Sequence, residues 1–130
     1  GALLNFGFSG EIGGGSHLSS SIGLVVGFGR GGLRVRRYWS NSAGLGVATV
    51  GFAVEFGLTT GTSDPFDLAG GFTYSGASFQ RPGGLLQLGG GASQSLSGAV
   101  RTYSGSVGIG LRLPGIAVDA HGGLGHTLVW

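Results

Sequence analysis

The sequence predicts an all-β fold, a single antiparallel barrel of about eight strands or a closely related two-sheet sandwich. Three observations predict it. Apolar residues alternate with small or polar ones at period two through much of the chain. Glycine, proline and serine clusters interrupt that alternation at intervals suited to short strands. Glycine accounts for 32 of the 130 residues, and each one costs a helix interior about 1 kcal/mol relative to alanine. The length suits one domain with a core, and no linker or shift of composition divides residues 1–130.

The elements follow in order. Gly13-Gly14-Gly15 reads as the first turn. Leu18, Ile22, Leu24, Val26 and Phe28 then share one strand face, opposite Ser19, Ser21, Gly23, Gly27 and Gly29. Gly31-Gly32 reverses the chain, and Ser40-Asn41-Ser42 is expected to turn it again. From Gly44 to Leu58 one face reads Gly44, Gly46, Ala48, Val50, Phe52, Val54, Phe56 and Leu58. The other face carries Leu45, Val47, Thr49, Gly51, Ala53, Glu55 and Gly57. The run from Thr60 to Asp67 is a longer connection, while Arg81-Pro82-Gly83-Gly84 and Pro114-Gly115 are tight ones. Val107, Ile109, Leu111 and Leu113 oppose Ser106, Gly108, Gly110 and Arg112. Last, Ile116, Val118, Leu124, Leu128 and Trp130 oppose Asp119, His121, Gly123, Gly125 and Thr127. Strands of roughly 7–13 residues with short connections pair antiparallel, and no helical stretch intervenes to build parallel crossovers.

Composition removes other classes. Three prolines and no three-residue period exclude collagen. Disordered chains combine low hydrophobicity with high net charge, whereas this one is 41% hydrophobic with a formal net charge of only +2. Charged residues make up 9% of the chain, against about 25% in ordinary soluble domains. Either much of the surface is not meant for bulk water, or glycine, serine and threonine make it polar without charge. Two readings of the strands follow. In one, the bulky face is an ordinary interior. In the other it points outward to lipid, and the small polar face lines a narrow lumen. No apolar run approaches the ~18 residues a spanning helix needs, so a membrane role would run through β-structure. With no cysteine there is no disulfide or thiolate metal site.

Chemistry-bearing residues are few. Arg34, Arg36, Arg37, Tyr38 and Trp39 form the one concentrated cluster, suited to an anionic lipid headgroup, a phosphate or a protein interface. It equally fits a solvated strand end whose charges discourage edge pairing. A nucleic-acid partner is not expected, because no stacking module accompanies the arginines. Asp119 and His121 share a strand face while His126 falls on the other. Three histidines dispersed along the chain (His17, His121, His126) show no ligand spacing, so no metal or cofactor is expected, nor an enzyme. Glycine-rich GEIGGGSH lacks the Gly-Lys-Ser/Thr ending of a phosphate loop.

The run RRYWSNSAGLGVATVGFAVEFGLTTGTSDPFDLAGGFTYSGASF from Arg36 to Phe79, followed by YSGSVGIGLRLPG and HGGLG, resembles a known type of module. It is similar to the glycine-rich β-modules at the C-terminal end of RHS-repeat and related polymorphic-toxin proteins of bacteria. The likeness spans Gly29 to Trp130, and Asp67-Leu68-Ala69-Gly70 matches the family's turn. Gly71 stands where proline is expected, and the arginine cluster is denser. The resemblance implies a secreted or cell-surface protein of intercellular competition, cut from a longer chain before Gly1. It carries over no catalytic residues. The resulting expectation is a non-catalytic effector module that acts on membranes by β-structured insertion or pore formation. Lipid headgroups would be its partners, with an immunity or carrier protein and further copies of itself as protein partners. A soluble barrel or sandwich that binds a protein or glycan is the alternative.

Overall fold

A computed structural model describes residues 1–29, 32–80, 84–112 and 118–130. Six strands and one short 3-10 turn make up the described chain: β1 (Ala2–Gly29), β2 (Gly32–Thr60), the 3-10 turn (Pro65–Leu68), β3 (Gly70–Gln80), β4 (Leu86–Ser95), β5 (Arg101–Arg112) and β6 (Val118–Val129). All pairings are antiparallel, in the order β1-β2-β5-β4-β3-β6, and β6 pairs back onto β2. The sheet therefore closes into a barrel.

Two long strands make that closure possible. β2 serves β6 with residues 38–45 and β5 with residues 49–60, so it bends between two walls of the barrel. β1 runs against β2 throughout, with a register shift between Gly13 and Gly15 where the bend falls. Gly15 sits at φ +92, a conformation that residues with a Cβ rarely adopt. Beyond the bend the halves of β1 come back together: a Cβ on Gly23 would lie 2.6 Å from Gly7 Cα, and one on Gly7 2.8 Å from Gly23 Cα. Gly44 and Gly123, directly opposed in the β2–β6 pair, approach just as closely. With the halves of β1 and β2 counted separately, the wall has eight staves, and residues 2–13 and 15–29 adjoin within it.

Two sequence expectations change here, and one further turn appears. The predicted turn at Ser40-Asn41-Ser42 lies inside β2, where Ser40 Oγ meets Thr127 Oγ1 at 2.7 Å and Ser42 Oγ meets Ser19 Oγ. Second, the single face drawn from Gly44 to Leu58 is two faces. Gly44 and Gly46 look inward while Val50 to Leu58 look outward, because the one-residue shift in register at the bend reverses the parity of β2. The further turn, over residues 96–100 and not read from the sequence, separates β4 from β5 and is held by Ser95 N donating to Val100 O at 2.9 Å. The expected turns at Arg81-Pro82-Gly83 and Pro114-Gly115 lie outside the described residues.

The barrel is apolar on its outer wall. Phe6, Phe8, Ile22, Phe52, Val54, Ile109 and Leu124 are all half exposed or more, on both sides of the ring. Among the described residues the buried hydrophobic cluster is only Leu3, Val25 and Tyr38. What is buried is mostly polar: His17, Thr49, Thr59, Gln80, Gln87, Asp119 and Thr127 face the lumen. Of the two readings that alternation allows, the structure has the bulky face outward.

Candidate functional site

Two regions collect the chemistry, the lumen and one mouth of the barrel. Strand parity sends Glu11, His17, Tyr38, Glu55, Gln87, Asp119 and His121 inward from four different strands. Thr59 Oγ1 meets Thr102 Oγ1 at 2.7 Å, and Gln80 Nε2 donates to the carbonyls of Gly84 and Gly110 at 2.7 and 2.6 Å. Between these side chains remains a cavity of about 250 Å³, bordered by Glu11, His17, Tyr38, Glu55 and Tyr74 among others. An eight-stave barrel is just wide enough to be filled by its own side chains, and this one nearly is.

Tyr38 crosses the lumen. Its hydroxyl donates to Glu55 Oε1 at 2.6 Å and accepts from Asn5 Nδ2 at 3.5 Å. At 3% exposure it is turned away from the outer surface, so the expectation that it meets headgroups beside its chain neighbours does not hold for its side chain. The period that puts Trp39 outside puts Tyr38 inside.

Toward the other mouth, His17 Nε2 lies 2.8 Å from Glu11 Oε2, and His121 Nδ1 lies 3.3 Å from Asp119 Oδ2. The two imidazoles stack with centroids 4.9 Å apart and planes 18° apart. Sequence spacing hid this meeting because His17 and His121 are on β1 and β6, joined only through β2: His17 opposes Gly44, which opposes Gly123. What the sequence did carry was parity, since all four residues fall on small or polar faces. His126, exposed on the outer wall, stays apart.

The mouth that holds both termini gathers the exposed arginines. Arg34, Arg36 and Arg37 are all exposed; Arg36 lies over the Phe66 ring at 5.2 Å and Arg37 exchanges backbone hydrogen bonds with Trp130. Trp39, opposite Leu128, Trp130 after β6, and Tyr103 near the start of β5 are the outward-facing tryptophans and tyrosine, and all stand near this mouth. Trp39 Nε1 donates to Ser20 Oγ at 2.9 Å. The Asp67-Leu68-Ala69-Gly70 turn caps the same mouth as the end of the 3-10 turn, whose Asp64 side chain accepts from Phe66 N.

Compared with protein-family models, with curated proteins and with solved structures, the chain shows no significant match.

Proposed function

We propose that this barrel works embedded in a lipid bilayer, with its outer wall against the acyl chains and its arginine-bearing mouth at the headgroups. The observation that carries the reading is the continuous apolar exterior around a polar lumen, the opposite of a water-soluble barrel and the arrangement of a membrane-spanning one. Water would leave that wall far beyond the few hundred Å² of contiguous apolar surface that monomers usually tolerate.

Dimensions support it. Strands β3 to β6 have 10–12 residues. At ~3.4 Å per residue and a tilt of ~40°, an 11-residue strand rises roughly 28 Å, close to a hydrocarbon core of about 30 Å. Tilting shortens the rise of a strand, and strands of this length still come close to spanning that core. Closure also matters, because a spanning sheet cannot leave an unpaired backbone edge in lipid. Trp39, Tyr103 and Trp130 near one mouth suit the interfacial level, where amphipathic aromatics concentrate, and Arg34, Arg36 and Arg37 add attraction for anionic lipid there.

The filled lumen favours insertion itself, rather than a wide conduit, as the mode of action. An effector role in bacterial competition, as the resemblance implies, would be exercised through that insertion, without substrate turnover. The test mixes the full chain with anionic and neutral vesicles that carry brominated acyl chains. Quenching of Trp39 and Trp130 fluorescence, with little release of a bulky trapped dye, is the expected result. Replacing Arg34, Arg36 and Arg37 by glutamine should weaken binding to the anionic vesicles selectively. A monodisperse, detergent-free monomer that leaves the fluorescence unquenched would overturn the proposal and point to a soluble domain with a protein or glycan partner.

A further inference from the structure

We infer that the lumen holds one divalent first-row transition metal ion, with Zn²⁺ as the reference, between His17, His121 and Asp119. One ligand atom from each lies within 4.8 Å of the other two. Imidazole nitrogen and carboxylate oxygen are the donors such ions take, and three protein ligands leave a position for water.

Three independent features point the same way. His17 is 1% exposed, yet its Nδ1 has no hydrogen-bond partner. Its other nitrogen is engaged by Glu11, which as acceptor fixes the proton on Nε2 and leaves the Nδ1 lone pair free to coordinate. Nδ1 of His121 is likewise buried with no hydrogen bond, and it faces the Asp119 carboxylate, Oδ2 lying 3.3 Å away. The room for both rings comes from glycine. A Cβ on Gly46 would stand 3.1 Å from His17 Cβ and 3.3 Å from His121 Cβ, and one on Gly76 3.0 Å from His121 Nε2. Zinc–nitrogen bonds of ~2.0–2.1 Å would draw the three donor atoms together by about an ångström. The site is internal, so it does not depend on what surrounds the barrel.

The test is calorimetric titration of the full chain with Zn²⁺, in whichever medium, detergent or buffer, gives a folded β spectrum. One ion per chain is expected. Binding should vanish in His17→Ala and in His121→Ala and persist in His126→Ala. Glu11→Gln, which removes only the support behind His17, should weaken it about 10–100-fold. A second measurement needs no variant: paramagnetic Co²⁺ added to histidine-labelled wild type should broaden the ring signals of His17 and His121 and spare His126. Absence of saturable Zn²⁺ binding, or His17 and His121 signals untouched by Co²⁺, overturns the inference. So does full affinity in a folded His17→Ala or His121→Ala.

Discussion

Tyr38 shows what a single side chain decides in this protein. Neighbours in sequence, Arg37 and Trp39, face outward, and a cluster read along the chain gathers all three; period two separates them. Inside, the phenol gives a carboxylate in a narrow lumen a short donor, Tyr38 to Glu55 at 2.6 Å. Tyr38→Phe keeps the ring and removes that donor. Hydrogen bonds to charged groups contribute about 1.5–3 kcal/mol, so the variant should lose stability of that order, read from its urea unfolding midpoint beside the wild type. An unchanged midpoint would mean that lumen solvent replaces the hydroxyl at no cost. The pairing of Glu11 with His17 had a similar status in the sequence. Both residues lie on an inward parity, but only the folded ring says which staves adjoin. Residue chemistry and face were therefore legible, and neighbours across the lumen were not.

At the scale of elements, the difference between expectation and structure lies in β1 and β2. Alternation and glycine content identify strands without ambiguity, yet they do not tell a turn from a bend. Ser40-Asn41-Ser42 has the residues of a turn, but its serines find hydroxyl partners directly opposite on the paired strands β6 and β1, and the strand runs on. Gly13-Gly14-Gly15 is punctuation as read, and there the punctuation folds β1 back beside itself while β2 continues around it. The seam that results has no room for side chains. Gly23→Val, which would drive two methyls into the Gly7 backbone, should cost about 3 kcal/mol, the upper part of the range for overpacking. Gly14→Ala is the counterpart: nothing lies within 4 Å of the added Cβ, and its loss of unfolded-state freedom should make it neutral or stabilising by about 0.4–1 kcal/mol. Denaturant unfolding of both variants checks the pair; equal effects would argue against a tight seam.

For the whole molecule, the unreadable quantity was direction. A two-faced strand has the same alternation whether its bulky side is core or coat, so periodicity cannot distinguish the two. The hint lay in composition: a chain with 9% charged residues lacks the means to wet a full surface. The outward wall makes a depth-dependent prediction. In a bilayer, Val54→Arg at mid-strand should cost about 2–4 kcal/mol, while Leu33→Arg near the arginine mouth should cost about 0–1. Reversible unfolding in lipid vesicles measures both. Two equal, small changes would place the wall in water.

The ring of pairings divides the wall at two places. Residues 1–60 supply four adjacent staves, the halves of β1 flanked by the halves of β2. Residues 70–129 supply the other four, in the order β6-β3-β4-β5. They meet along β2–β6 on one side and β2–β5 on the other. Each half presents two open edges and finds both complements on the other, with residues 61–69 as the tether. Nothing in that arithmetic requires the halves to share a chain. Two copies that trade C-terminal halves rebuild the same wall twice, so the covalent link sets the speed of assembly more than its shape.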